Sequence, residues 1–140
     1  MKLSTLKPEK VFGYFEQICS IPHGSYNTDK IADYVVNFAK EHNLEYSRDE
    51  HNNVIIKKDA TEDYNGGNTV IIQGHLDMMC AKEEGTDIDF DNEGLDIDCD
   101  GEYIFAKGTT LGGDDGIAVA MALAILDSDT ITHAEYSAVK

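Results

Sequence analysis

The most constraining feature of this sequence is an apolar run at residues 117–126, IAVAMALAIL, which carries no polar side chain. An Ala-rich segment that is apolar on every side predicts a buried helix, here over Asp115–Leu126. The run has about half of the roughly 20 residues that a membrane span requires, so it does not indicate a transmembrane helix. A glycine-rich loop, KGTTLGGDDG, leads into it at 107–116. A chain built around this helix must supply a core to cover it.

The chain is strongly acidic, with 11 Lys and Arg against 27 Asp and Glu in 140 residues, a net charge of −16 at pH 7. Such a charge repels phosphate backbones and anionic lipid headgroups, which disfavours nucleic-acid binding and membrane attachment and favours cationic partners or metal ions. The N-terminus has no continuous apolar segment, and Cys19, Cys80 and Cys99 show no C-x-x-C spacing. We expect one soluble, cytoplasmic domain without secretion signal, disulfide framework or thiolate zinc site.

Hydrophobic periodicity predicts two amphipathic helices ahead of any strand, at 8–20 and 28–42. Two strands joined by a polar turn should follow at 44–48 and 53–58. The short and nearly all-apolar segment 69–73 is typical of an interior strand covered on both faces. This order of elements predicts a layered α/β domain.

Residues 83–102 carry ten acidic side chains and no basic one, and apolar residues partly alternate with them, which predicts a solvated β-hairpin. Within it, Asp96, Asp98 and Asp100 match the first half of an EF-hand calcium loop. The second half fails, because position twelve is Lys107 where a Glu is needed. We therefore favour a charged hairpin face that keeps a sheet edge soluble.

The residues Gly74-His75-Leu76-Asp77 follow directly on the strand predicted at 69–73. Ligand sites in open α/β sheets lie beyond the carboxyl ends of strands. In extended chain His75 and Asp77 project to the same side, so Asp77 can accept from one imidazole nitrogen while the other binds a metal. A His bonded to a neighbouring Asp is more often purely structural, so both interpretations stay open at this point.

Asp114 and Asp115 lie where the glycine-rich loop enters the predicted helix. The helix dipole favours a carboxylate there, and the simpler interpretation is that one of the two is only the N-cap. The glycines do not indicate a phosphate-binding loop, because neither G-K-[ST] nor G-x-G-x-x-G occurs and two carboxylates repel phosphate.

The remaining histidines and the cysteine next to the predicted site have no assigned role. His23 follows Ile21-Pro22 in a loop from which it could approach a substrate, but a surface or helix-preceding position is favoured. His42, His51 and His133 are expected to face the solvent. Cys80 is expected to be a small buried residue, since no His or Asn pairs with it to support a thiol nucleophile.

Two motifs together resemble the co-catalytic zinc peptidases of the aminoacyl-histidine dipeptidase (Xaa-His dipeptidase, peptidase D) branch. They are VIIQGHLDMM at 70–79 and KGTTLGGDDGIAVAMALAIL at 107–126, supported by residues 19–58, and the resemblance extends to about Asp129. It implies an α/β fold that is the N-terminal part of a zinc-peptidase catalytic domain, a layered sheet with flanking helices and an acidic β-hairpin.

The resemblance implies roles for three side chains. His75 is a ligand of one zinc, Asp77 is the catalytic residue that orients the His75 ring, and Asp114 bridges both metals. Asp115 stands where relatives carry Asn or Asp, and the peptide bond between 114 and 115 is expected to be cis. The implied cofactor is a pair of Zn²⁺ ions, and Mn²⁺ or Co²⁺ suits the same ligands.

The implied reaction is hydrolysis of Xaa-His dipeptides, in which two metals polarise the scissile carbonyl and activate a water while a Glu takes its proton. In the family that Glu and further ligands lie beyond an apolar strand, whereas this chain continues after His133 as Ala-Glu-Tyr-Ser-Ala-Val-Lys. Residues 1–140 are therefore expected to be the N-terminal portion of the catalytic domain, inactive alone, without the lid and dimerisation domain. The complete enzyme is expected to be a cytoplasmic homodimer.

Two other functions remain open. One is a non-catalytic module whose partial site or acidic hairpin recruits a divalent cation or a basic partner, and micromolar affinity of a folded, monodisperse chain for one divalent ion would favour it. The other is a deacylase or tripeptidase with the same metals, which a substrate profile of the full-length protein distinguishes.

Overall fold

The computed structural model describes residue 3 and residues 5–139. Its helices and strands, in chain order, are α1 (Glu9–Cys19), α2 (Asp29–Glu41), β1 (Glu45–Arg48), β2 (Val54–Lys58), β3 (Val70–Gln73), β4 (Ile97–Cys99), β5 (Ile104–Ala106), α3 (Gly113–Leu126) and β6 (Tyr136–Val139). The predicted α/β class is confirmed. In the described part of the chain no helix is long and apolar enough to cross a membrane.

Both N-terminal helices form where hydrophobic periodicity predicts them, and each buries one face. The buried side chains of these faces include Phe15 and Ile18 on α1 and Ile31, Val35 and Phe38 on α2. Asn43, just beyond α2, has a left-handed φ of 54°, and the backbone amide of Leu44 bonds back to the carbonyl of Ala39 at 2.9 Å. This left-handed turn ends the helix.

The main sheet is mixed and has the strand order β1-β2-β6-β3. β1 and β2 form the predicted antiparallel hairpin, and β6 runs antiparallel to β2 and parallel to β3. β6 takes the interior position, so within the described residues β3 is an edge strand and the prediction of an interior strand at 69–73 is wrong. Relatives continue after the equivalent of His133 with a strand, and this chain is expected to depart from that pattern. This expectation is also wrong, since Tyr136–Val139 forms a strand that pairs on both sides.

Helices α2 and α3 cover one face of this sheet. Val54 and Ile56 of β2 and Ile72 of β3 line a small apolar space together with Val35 of α2 and Val119 of α3. On the opposite face Ile71 keeps 68% of its surface exposed. The expected burial of β3 on both faces therefore fails, because these helices pack on the side of Ile72 alone.

The apolar run forms α3 as predicted and packs chiefly against α1. A Cβ at Gly116 would lie 3.3 Å from the ring of Phe15, so the two helices approach closely at this glycine. Leu123 and Leu126 are buried, but Met121 is 49% exposed. The helix is therefore not buried on every side, since none of the described elements covers Met121.

The acidic hairpin is shorter than predicted. β4 pairs antiparallel with β5 over 97–106, whereas residues 85–96 form a loop with turns. Lys107 lies 3.0 Å from a carboxylate oxygen of Asp98 and 3.7 Å from one of Asp96. β4 and β5 lie within the candidate calcium loop, and a lysine ammonium pairs with two of its carboxylates, which supports the charged-hairpin interpretation.

Two of the histidines expected to face the solvent are buried or half-buried. The His133 ring is buried and stacks on Tyr136, with 4.3 Å between the ring centroids. His42 lies with Nε2 at 3.0 Å from Oδ1 of Asp127. Both predictions are wrong, because Tyr136 covers the His133 ring and Asp127, at the end of α3, contacts His42. His51 is exposed as predicted.

Candidate metal centre

The chain leaves β3 at Gly74, and the first turn of α3 packs directly against this point. The backbone amide of His75 donates a hydrogen bond to Oδ2 of Asp115 at 3.2 Å. A Cβ at Gly74 would lie 2.7 Å from the same oxygen, so only glycine leaves room for this approach. The contact places His75 beside the turn that carries Asp114 and Asp115.

The start of α3 is irregular. Gly112 is the N-cap with a left-handed φ of 70°, Asp114 and Asp115 have non-helical backbone angles, and the peptide bond between them is cis, as expected. A Cβ at Gly112 would lie 3.0 Å from Sδ of Met78, so a side chain has little room there. The simpler interpretation, that one of the two acids is only the N-cap, is wrong, because both carboxylates bond to His75.

The imidazole of His75 lies between two aspartates. Nδ1 is 2.9 Å from the carbonyl oxygen of Asp77 and 3.3 Å from its Oδ1. Nε2 is 3.0 Å from Oδ1 of Asp114. The ring is half-exposed and the Asp114 side chain is 96% exposed. The structure thus brings together His75, Asp77 and Asp114, the three predicted site residues, where solvent and solutes reach them.

The surroundings of His75 favour its protonated form in the metal-free chain. Partial burial acts to lower the pKa of His75. The hydrogen bonds with Asp114 and with the Asp77 carbonyl, and the charges of Asp77 and Asp115, together outweigh burial and raise the pKa above its usual value. An imidazolium here partly balances the negative charge of the aspartates.

The donor chemistry of His75 and Asp114 fits a metal of the zinc type. Imidazole nitrogen and carboxylate oxygen are both zinc ligands, and two such donors on one tetrahedral ion lie roughly 3.4 Å apart. Nε2 of His75 and Oδ1 of Asp114 are 3.0 Å apart. Over residue 3 and residues 5–139, no group of three or more His, Cys, Asp or Glu side chains is arranged to hold a metal ion. The two residues therefore fit as part of a metal site, and their roles as ligands stay predictions.

Three residues near the site differ from expectation or carry no signal in the sequence. His23 is buried rather than in a surface loop, and burial lowers its pKa more than its hydrogen bond to the Ile21 carbonyl raises it. Cys80 is exposed rather than buried. The Ser25 hydroxyl donates to Oδ2 of Asp77 at 2.6 Å. No local pattern marks Ser25, because the contact depends on how distant segments pack.

No protein-family model matches this sequence. The cytosol non-specific dipeptidase of Escherichia coli (strain K12) is 41% identical over 132 residues, which are 94% of this chain and 27% of that protein. The crystal structure of aminoacylhistidine dipeptidase from Vibrio alginolyticus matches with a TM-score of 0.94 at 41% identity, over 99% of this chain and 28% of that one. The resemblance to the aminoacyl-histidine dipeptidases is therefore confirmed, and this chain spans about a quarter of the length of either protein.

Two solved structures at lower identity share the fold. A tripeptidase from Staphylococcus aureus subsp. aureus Mu50 matches with a TM-score of 0.73 at 19% identity, and aminopeptidase PepT from Bacillus cereus ATCC 10987 matches with 0.71 at 20%. Each match covers 94% of this chain and 35% of the other chain. These two show the fold alone. The two proteins at 41% identity are both named as dipeptidases, so the chain resembles a class of enzymes.

Proposed function

We propose that this chain is the N-terminal portion of the catalytic α/β domain of a cytoplasmic metallopeptidase that cleaves Xaa-His dipeptides with two Zn²⁺ ions. The observation that carries this proposal is the position of the His75 ring, with Nδ1 on Asp77 and Nε2 on Asp114. The 41% identity to two proteins named as dipeptidases supports the substrate class.

Each site residue has one task in this scheme. Asp77 holds the Nδ1 side of the ring and fixes its tautomer, which leaves Nε2 of His75 as the ligand atom. Asp114, almost fully exposed beside that atom, would be shared between two metal ions. A bound metal pair supplies polarisation of the scissile carbonyl and activation of water for attack. Asp115 holds the backbone of His75 and so keeps the ligand in place.

The general base is proposed to be a Glu supplied from outside residues 1–140, as the resemblance implies. General-base assistance typically contributes about 10²- to 10⁴-fold to a rate, and missing ligands weaken metal binding further. We therefore propose that these 140 residues bind zinc weakly and are inactive by themselves.

The test combines zinc affinity with hydrolysis of Xaa-His dipeptides, measured on the same samples of the 140-residue chain. We expect no hydrolysis and weak zinc binding that His75→Ala removes. His51→Ala is the matched control, because His51 is exposed and its carboxylate neighbour is the adjacent Glu50. Unchanged zinc affinity in His75→Ala would overturn the metal site, and hydrolysis that His75→Ala abolishes would overturn the proposed incompleteness.

Substrate preference and assembly belong to the same proposal. Rates on Xaa-His and Xaa-Ala dipeptides, measured on a protein that contains this chain and the missing ligands, should favour Xaa-His. Light scattering on that protein should give the mass of a homodimer. Equal rates on the two dipeptides would leave peptide hydrolysis intact and remove the histidine preference.

A further inference from the structure

Residues 23–25 lie against the segment that follows β3. The backbone amide of Met78 donates to the carbonyl of His23 at 3.0 Å, and the amide of Ser25 donates to the carbonyl of Met78 at 3.0 Å. A Cβ at Gly24 would lie 2.8 Å from Sγ of Cys80, so the two segments approach as closely as a glycine allows. The backbone that carries Ser25 is therefore fixed to the residue next to Asp77.

This arrangement aims the Ser25 hydroxyl at Asp77. Oγ of Ser25 donates to Oδ2 of Asp77 at 2.6 Å, and its distance to the carbonyl oxygen of Met78 is longer, 3.3 Å. The other carboxylate oxygen, Oδ1, is 3.3 Å from Nδ1 of His75. The two oxygens of one carboxylate are thus divided between Ser25 and His75, and rotation of the carboxylate would disrupt both contacts.

We propose that Ser25 is a positioning residue of the candidate metal centre, which acts through Asp77 to hold the His75 ring with Nε2 towards Asp114. This inference rests on the proposed function. Without the hydroxyl, Oδ2 of the partly exposed Asp77 loses this donor and turns to water, which weakens the orientation of the carboxylate towards the His75 ring. Removal of a group that directly orients a metal-binding His typically weakens metal affinity about 10- to 100-fold. Ser25 acts one step further away, so we expect zinc affinity to fall about 3- to 10-fold.

The experiment compares Ser25→Ala with Ser25→Thr, which keeps the hydroxyl. Zinc affinity is measured by competition with a chromophoric chelator, and the ring nitrogens of His75 are followed by long-range ¹H–¹⁵N NMR in the metal-free chain. Ser25→Ala should weaken zinc binding and shift the Nδ1 resonance, and Ser25→Thr should restore both. Ser47→Ala is the control, because Ser47 is exposed on β1, at the opposite edge of the sheet from β3.

The two readouts separate this inference from the proposed function. If His75→Ala weakens zinc binding but Ser25→Ala matches the unaltered chain in both measurements, the positioning role is overturned. A Ser25→Thr variant that behaves like Ser25→Ala overturns it as well. If His75→Ala leaves zinc affinity unchanged, the proposed function fails, whereas the NMR shift in the metal-free chain still tests the contact through Asp77.

Ser25 is exposed, so the variants should keep the circular dichroism spectrum of the unaltered chain. Should Ser25→Ala unfold, Ser25→Cys provides the comparison, because a thiol of similar size is a weaker hydrogen-bond donor. It should then give the weakened zinc affinity and the shifted Nδ1 resonance, and unchanged values would overturn the positioning role.

Discussion

Oδ2 of Asp115 accepts a hydrogen bond from the backbone amide of His75 at 3.2 Å, which joins the end of β3 to the first turn of α3. Gly74 lies beneath this contact, and a Cβ there would be 2.7 Å from the same oxygen. The candidate metal centre therefore depends on a glycine that carries no donor atom for the metal.

Replacement of Gly74 by Ala should push Asp115 away from the end of β3. Because the neighbouring atom belongs to a carboxylate that also holds His75, we expect a loss of about 1–3 kcal/mol in the free energy of unfolding. Urea unfolding measures it. Gly67→Ala is the matched control, since a Cβ at Gly67 meets nothing within 4 Å. Equal losses in the two variants would contradict the close-approach explanation.

Asp127 connects α1, α2 and the end of α3. Its side chain accepts hydrogen bonds from Tyr14 at 2.9 Å and His42 at 3.0 Å, and it forms an ion pair with Lys10 at 2.8 Å. Partial burial acts to raise the pKa of Asp127. The hydrogen bonds of Lys10, Tyr14 and His42 outweigh burial and lower the pKa below its ordinary value of 3.8.

Asp127 should therefore make the free energy of unfolding depend on pH in the acidic range. A carboxyl with a lowered folded-state pKa stabilises the fold fully above its unfolded pKa, near 4, and loses this contribution as the pH falls through the folded value. At pH 7 Asp127→Asn should lower the free energy of unfolding by about 1–2 kcal/mol. The difference in this free energy between the variant and the unaltered chain should narrow below pH 4. Urea unfolding at pH 7 and pH 3 measures this. Asp129→Asn, at a side chain that is 99% exposed, should show a much smaller difference.

Ile71 exposes most of its surface on the uncovered face of the edge strand β3. Exposed apolar residues on a strand edge promote association between chains, so Ile71→Lys should reduce self-association with little change in stability. Light scattering over a concentration series measures this. Ile72→Lys on the opposite face should instead unfold the domain, because Ile72 lines the apolar space under α3. Unchanged association in Ile71→Lys would contradict this role for the edge.

The thiols should react in an order set by burial. Burial, with a smaller effect of the Glu16 charge, raises the pKa of Cys19 to about 12, and the thiolate is the reactive form. Cys80 is exposed, although burial of part of its side chain raises its pKa as well. At pH 8 a disulfide reagent should modify Cys80 in the native chain and Cys19 only on unfolding. The Cys19→Ala variant should lose the slow phase of the reaction, which follows unfolding. Loss of the fast phase in that variant would contradict the assignment of the fast phase to Cys80.

The elements that local sequence determines were predictable. The apolar faces of α1 and α2, with Phe15 and Val35 among their members, repeat at helical spacing, and the turn between β1 and β2 is polar and short. The pairing of His75 with Asp77 is also local, because the two residues are separated by one position in extended chain. Its extension to Asp114 followed from the family resemblance rather than from spacing.

Features that depend on distant segments were not predictable in the same way. The edge position of β3 follows from the insertion of β6, and the exposure of Ile71 follows from helices that cover one face alone. His23 becomes buried because its segment packs on the residues around Met78, and the same packing brings Ser25 to Asp77. None of these contacts leaves a periodic pattern in the sequence.

The insertion of β6 between β2 and β3 also determines the order in which parts of the domain can become structured during synthesis. Val70 of β3 pairs with Tyr136 of β6, so the strand that leads to His75 leaves the ribosome long before its hydrogen-bonding partner exists. A nascent chain that has reached the end of α3 holds His75, Asp77 and Asp114, but it still lacks β6, which alone among the described strands pairs with β3. The candidate metal centre is therefore among the late parts of this domain to become ordered during synthesis, because closing a long loop must precede the contacts that hold β3.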